Sequence, residues 1–206
     1  MRIFLFVVWS VLTMNVGMAQ GDSTRHANKR VRYFGSLSSG VLIGAEGRGT
    51  TVTAATIHGI RLNKIAIGLG IGYDDFNRTN IVNGGGDFYM RWKSVPLFLS
   101  FSTDWGKLKG NNLYIQLNGG YSIIRQSNPA DMVIVENSEG GLMLNPSLGY
   151  RINSGTHKIY FEAGYKMQRN RYRYNTYPWI WGPPSGLVNV KETMQRVQVK
   201  IGFGWN

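Results

Sequence analysis

Large apolar and small or polar residues alternate along most of the chain, which is the period of a β-strand with its two faces in different surroundings. The pattern is cleanest from Lys64 to Tyr73, where Ile65, Ile67, Leu69, Ile71 and Tyr73 interleave with Ala66, Gly68, Gly70 and Gly72. Val95, Leu97, Leu99, Phe101 and Trp105 oppose Phe98, Ser100, Ser102 and Asp104 in the same way, and Leu113, Ile115, Leu117, Tyr121 and Ile123 oppose Tyr114, Gln116, Asn118, Gly120 and Ser122. The parity then changes. Leu142, Leu144, Pro146, Leu148 and Tyr150 face away from Met143, Asn145, Ser147, Gly149 and Arg151. Ile159 to Met167 and Val197 to Trp205 give two more strands with apolar odd positions, against Tyr160, Glu162, Gly164, Lys166 and Gln168 in one and Arg196, Gln198, Lys200, Gly202 and Gly204 in the other. Arg32 to Gly44 is a weaker strand in which Tyr33, Leu37, Val41 and Ile43 oppose Ser36, Ser38 and Gly40. Thr51 to Leu62 is a strand by its β-branched content, with no legible face.

Eight strands, an even number, predict an all-β, eight-stranded antiparallel up-and-down transmembrane β-barrel with both ends of the chain on one side. The links alternate in length. Leu62 to Lys64, Gly106 to Asn112 and Asn153 to Lys158 are short, whereas Asp74 to Ser94, Ser127 to Gly140 and Asn170 to Glu192 are long. Only the first link on the long side, around Ala45 to Thr50, is brief. Short periplasmic turns opposite long outer loops are the arrangement of outer-membrane barrels.

The direction of the faces separates a membrane barrel from a soluble one. The less apolar face is Gly, Ala, Ser, Asn and Gln with few charges, which suits the filled interior of eight strands better than a surface in water. The large side chains are therefore assigned to lipid, and Tyr33, Tyr73, Trp105, Tyr121, Tyr150 and Trp205 fall near strand ends, where interfacial aromatic girdles belong. Leu69→Arg is expected to impair folding, and Gly70→Ala on the opposite face to do much less.

The start of the chain reads differently. Arg2, the apolar run from Ile3 to Leu12 and the small residues Gly17 and Ala19 have the layout of a secretory signal, with cleavage expected after Ala19. The run is too short for a membrane helix. The expected divisions are a signal over 1–19, a polar periplasmic segment over 20–31 and the barrel over 32–206. Cysteine is absent, which excludes disulfides, a thiol nucleophile and a lipid anchor on a mature N-terminal Cys. Loss of Arg2 takes the formal charge from +12 to +11, so anionic partners are expected, and export argues against nucleic acid among them. Arg25, Lys29, Arg30, Arg32, Arg61, Lys64, Lys107, Lys109, Arg151 and Lys158 gather at the turn end against Asp22 and Asp104, so most of the excess charge is expected there.

Several runs resemble a known family: Thr56-Ile57-His58-Gly59-Ile60-Arg61-Leu62-Asn63-Lys64, Gly68-Leu69-Gly70-Ile71-Gly72-Tyr73-Asp74, Val95-Pro96-Leu97-Phe98, Gly119-Gly120-Tyr121-Ser122, and Gly141 to Pro146 with Gly149-Tyr150-Arg151. They are similar to small outer-membrane β-barrel proteins of Bacteroidota, over most of residues 32 to 206. The resemblance implies the fold and an outer-membrane location after signal cleavage, and it brings no catalytic residues. The sequence departs from such barrels in carrying its last aromatic, Trp205, ahead of Asn206.

Candidate chemistry is sparse. His26, His58 and His157 lie near neither each other nor a carboxylate at metal-ligand spacing, and no G-x-S-x-G element is present. No catalytic, metal or cofactor site is assigned, with His58 as the one conceivable base of a lipid-modifying enzyme. Glu162, Lys166, Arg196 and Lys200 face the lumen, where charges need partners, so Glu162 is expected to bridge to Arg196 or Lys200, with a selective pore as the other reading. The stretch from Asn170 to Glu192 interleaves Arg171, Tyr172, Arg173, Tyr174, Tyr177, Trp179 and Trp181 as a candidate ligand-contact loop, or as aromatics packed on one another. The expected protein is a monomer with no enzymatic activity, folded by the barrel assembly machinery, whose partners are outer-membrane lipids and lipopolysaccharide.

Overall fold

The computed structural model describes residues 31–44, 49–82, 86–108, 111–128, 133–176 and 187–205. The expected signal and the N-terminal segment up to residue 30 lie outside the described residues, and Val31, expected in that segment, begins the first strand. Nine β elements follow in order: β1 Val31–Gly44, β2 Thr50–Leu62, β3 Ile65–Val82, β4 Gly86–Leu108, β5 Asn111–Asn128, β6 Val133–Glu139, β7 Gly141–Ser154, β8 His157–Thr176 and β9 Leu187–Trp205. They make eight positions in the wall, because β6 and β7 are two halves of one strand interrupted at Gly140. β7 pairs with β8 up to Met143 opposite Gln168, and β6 takes over at Glu139 opposite Arg171. All pairings are antiparallel, and β9 pairs with both β8 and β1, which closes the sheet.

The registers fix the barrel's dimensions. Moving from rung to rung, Lys93 faces Asp75, Asp75 faces Val52, Val52 faces Val41, and Val41 faces Val199. Val199 faces Ala163, Ala163 faces Leu148, Leu148 faces Ile115, and Ile115 faces Thr103, back on β4 and ten residues from the start. That stagger, set against eight strand spacings, tilts the strands by about 40° and leaves a narrow interior.

The two faces sort as the alternation predicts. Outward residues such as Leu69, 68 % exposed, Leu97, Leu117, Leu148, Phe161 and Ile201 form an apolar belt, while Ser, Asn, Gln, Gly and charged residues point inward. Each strand gives the belt about ten residues, or roughly 25 Å along the axis at that tilt, close to the height of the apolar band of barrels in membranes. The second strand now acquires its faces: Thr51, Thr53, Ala55 and Ile57 point inward, and Val52, Thr56, His58 and Ile60 outward.

The turn end is made by Asn63, which takes a left-handed φ of 55° that Asn tolerates, and by Gly155 at φ 61°. At the other end the structure corrects the expected loops. β3 and β4 remain paired from Asp74 opposite Ser94 to Val82 opposite Gly86, and β8 and β9 from Asn170 opposite Glu192 to Asn175 opposite Leu187. Most of each long link is therefore hairpin that continues the ladder past the belt. There the outward positions of β8 are Arg169, Arg171 and Arg173, so the apolar half of the alternation ends although the strand does not.

Aromatic rings lying over glycines close the wall from inside. A Cβ placed on Gly70 would stand 2.3 Å from the Phe98 ring, one on Gly149 2.1 Å from Tyr114, and one on Gly202 2.2 Å from Tyr160. The Tyr160 hydroxyl reaches further and donates to the Leu37 carbonyl at 3.1 Å, bracing β8, β9 and β1 together. Trp205 covers Gly35 on the outer face of the same seam. The geometry raises the effect expected for Gly70→Ala. Phe98 packs with Ala55, Ile57 and Met143, so the ring must shift within that cluster and Gly70→Ala should destabilise by about 1 to 3 kcal/mol, as overpacking does. Urea titration of the refolded variant in micelles checks this, with Leu69→Ala as the outward control.

Candidate functional site

The lumen is the most organised polar region among the described residues, and it is layered. Nearest the turn end, the Asp104 carboxylate accepts from Arg151 at 2.7 Å, from Arg61 at 3.3 Å and from Asn112 at 2.9 Å. Arg151 also stacks over the Tyr114 ring at 4.4 Å and Arg61 lies over Phe34 at 5.8 Å, so both guanidinium faces are occupied. In the middle layer, Glu162 accepts from Gln198 at 3.1 Å and from the Tyr114 hydroxyl at 3.4 Å, and Lys200 stands 3.6 Å from its carboxylate. Asn145 donates to Gln198 at 3.1 Å and extends that network to β7.

Toward the loop end, Asp74 is paired with Lys166 and accepts from Thr53 at 2.7 Å. Ser94 and Ser122 are hydrogen-bonded to each other, Gln168 donates to Ser94 at 3.4 Å and to Asn170 at 2.9 Å, and Arg196 contacts the Met194 sulfur at 3.4 Å. The Trp92 and Tyr172 rings, 5.0 Å apart, cover this layer. Trp92 is only 1 % exposed. A cavity of about 40 Å³ remains in the lower lumen between Tyr114, Arg151, Tyr160, Glu162 and Lys200, room for a few waters and not for a solute.

The lumen charges named from sequence are all buried inside the barrel. Glu162 takes Lys200, one of its two expected partners. Lys166 takes Asp74, the first residue of the expected loop from Asp74 to Ser94. Asp74 merely continues the inward parity of Ala66 to Gly72, and that parity was the signal available for it. Asp104 was expected at the turn end against Arg61 and Arg151, but not as their shared partner inside the lumen. Its partners lie on β2 and β7, and only the register brings them together.

Arg171, Tyr172 and Arg173 of the aromatic and basic stretch stand on β8 and not in a loop, and Tyr174 continues that strand. Tyr172 points inward onto Trp92, while Arg171 and Arg173 are exposed outward. Tyr177, Trp179 and Trp181 lie outside the described residues. The structure also shows outward basic residues at the loop end beyond those named from sequence, among them Arg91, Lys93, Arg125, Arg169 and Lys191. Positive charge is therefore not confined to the turn end.

His58 faces outward beside the closing seam. Tyr33 OH lies 2.6 Å from its Nδ1 and Thr56 Oγ1 3.0 Å from its Nε2, with Trp205 edge-on at 6.1 Å. Thr56 donates to the Ser36 carbonyl at 3.1 Å, so the tautomer that satisfies every contact carries its proton on Nε2, and the imidazole does not accept from Thr56. In that tautomer Nδ1 accepts from the Tyr33 hydroxyl, and the two contacts hold the ring in place. Among the described residues no group of three His, Cys, Asp or Glu side chains is placed to hold a metal ion.

Together these features define a closed, all-β, eight-stranded antiparallel barrel of the type found in small outer-membrane proteins. No protein-family model and no curated protein matches the chain. Among solved structures it is similar to the crystal structure of Neisserial surface protein A (NspA), with 10 % sequence identity and a TM-score of 0.51 over 85 % of this chain and 98 % of that one. The outer membrane protein AlkL in DMPC bilayers aligns at 12 % identity and a TM-score of 0.42, over 91 % of this chain and 96 % of that one. At such identities the likeness is one of fold.

Proposed function

We propose that the chain is a monomeric integral protein of a Gram-negative outer membrane, of the small-barrel kind that its motifs resemble in Bacteroidota, exported with its first 19 residues as a cleaved signal. It works through the surface at its loop end, without enzymatic activity, and meets outer-membrane lipids and lipopolysaccharide there. The barrel assembly machinery folds it. The observation that carries this reading is a roughly 25 Å outward apolar belt around a lumen filled by paired charges on three levels. A soluble barrel would place the polar face outward, and a conducting one would leave the lumen open.

Two measurements test it. Purified protein should migrate faster before boiling than after on a denaturing gel and should fractionate with outer membranes; recovery in the soluble periplasm would overturn the membrane assignment. Folded protein in a planar bilayer should give no unitary current steps, because a solute would have to break the Asp104, Glu162 and Asp74 clusters in turn. Stable conductance from the wild type would favour the pore reading. For the lipid-modifying alternative, lipid A profiles from wild-type, deletion and His58→Ala strains should be identical by mass spectrometry, and a species lost in both mutant strains would favour an enzyme.

A further inference from the structure

Just past the apolar belt, the outward positions of neighbouring strands turn basic. On β8, Tyr165 and Met167 are followed by Arg169, Arg171 and Arg173; on β9, Lys191 stands opposite Arg171. On the far side of the barrel, Lys93 stands opposite Arg125, with Arg91 two residues further along β4. All seven side chains are exposed. Each lies 12 to 17 residues from the turn end of its strand, a height of roughly 30 to 43 Å at the rise and tilt given above. That is immediately beyond the hydrocarbon. Asp75 and Glu139 oppose them on the outward face at this level, and Asp75 accepts from Arg91 Nε at 2.8 Å.

The β8 side of this rim is shaped as well as charged. Glu139, Arg171 and Lys191 share one rung of the β6, β8 and β9 ladder, and Asn137, Arg173 and Asn189 share the next. A groove of about 130 Å³ opens between them. With Arg169 included, the basic groups extend about 13 Å along β8 and about 5 Å across to β9. A guanidinium presents a planar fork of donors that matches phosphate, and basic groups next to an anionic surface add to the attraction. The patch is wider than one glycerophospholipid phosphate, and the amides of Asn137 and Asn189 can bond sugar hydroxyls. A disaccharide lipid phosphorylated at both ends offers two phosphates separated on that scale, with hydroxyls between them.

We infer that the groove formed by Asn137, Glu139, Arg171, Arg173, Asn189 and Lys191, together with Arg169, binds the phosphorylated sugar headgroup of an outer-leaflet glycolipid whose acyl chains lie along the belt below. The inference rests on the membrane reading above and gives its loop-end surface a specific lipid partner.

Native mass spectrometry of the folded protein in micelles, titrated with bisphosphorylated lipid A, is the test. Parallel titrations use the same glycolipid without phosphates and phosphatidylglycerol, and a further arm adds millimolar inorganic phosphate. Bisphosphorylated lipid A should bind at least tenfold more tightly than either other lipid and should survive the added phosphate. An Arg169→Gln, Arg171→Gln, Arg173→Gln and Lys191→Gln variant should lose that preference while keeping heat-modifiable migration, and a Lys64→Gln and Lys107→Gln variant at the turn end should retain it. Equal affinity for lipid A and phosphatidylglycerol would overturn the inference in favour of a general anion rim, and displacement by phosphate would overturn it in favour of a free-anion site. A folded quadruple variant that binds lipid A like the wild type would also overturn it. Those three results leave the membrane assignment intact, whereas a protein recovered only in the soluble periplasm removes its premise.

Discussion

Replacing Asp74 with Ala should destabilise the barrel by about 3 to 5 kcal/mol, among the largest effects available to a single substitution in this chain. Asp74 and Lys166 are both almost fully buried, with side chains 2 % and 5 % exposed, and the carboxylate also holds Thr53. Truncation would leave the Lys166 ammonium among Lys200 and Arg196 with its closest counter-charge gone. The loss comes chiefly from stranding that charge, not from the worth of the pair, so Asp74→Leu with Lys166→Met should recover most of the stability. Equilibrium urea unfolding in detergent, read by tryptophan fluorescence, gives the double-mutant cycle. A coupling near zero would mean that water reaches this layer freely and that the lumen is less tightly closed than its geometry states.

Leu69→Arg should be comparably damaging, at about 2 to 4 kcal/mol, because it carries a charge to the mid-height of the lipid face. Leu69 is 68 % exposed, opposite Leu99 on β4 and flanked by Ile67 and Ile71 on the same face, with His58 opposite it on β2. The effect should depend on depth: Ile65→Arg, at the turn-end edge of the same strand, should cost about 0 to 1 kcal/mol. Refolding yields into vesicles, scored by gel mobility, measure the series. In water the same arginine would be harmless, and equal folding of Leu69→Arg and wild type would reverse the assignment of faces.

How much of this was readable from sequence differs by region. Along β3, β4, β5, β7, β8 and β9 the belt imposes a strict contrast between lipid and lumen, and each residue from Ile65 to Tyr73 declares its side. β2 did not, because Ala54, Thr56 and His58 face outward in a part of the wall where apolarity is interrupted. Strand ends were misjudged for a related reason. Past Asp75 and Arg169 the ladder persists without large apolar residues at the outward positions of β8, so backbone pairing continues after the apolar signal has ended. The lumen was legible as a set of inward charges and not as a set of pairs. Asp74 and Lys166 are 92 residues apart in sequence and meet through the stagger of ten residues around the wall, a property of the closed barrel that no local pattern encodes. The glycine sites were underestimated because alternation treats Gly70 as a small inward residue and cannot reveal the Phe98 ring lying across it.

The central claim is that a lipid-facing belt surrounds a closed polar lumen, and β5 offers a direct measurement of it. The chain has no cysteine, so single cysteines at Leu117, Asn118, Ser122, Ile123 and Arg125 can carry nitroxide labels without background. In vesicles, the label at position 117 should be highly accessible to molecular oxygen and shielded from a water-soluble nickel complex, and the one at 123, at the loop-end edge of the belt, less strongly so. Those at 118 and 122 should be shielded from both, and the label at 125 should meet the nickel complex. A label at 117 that is as accessible to nickel as the one at 125 would contradict the account, because it would place the apolar face of the strand in water.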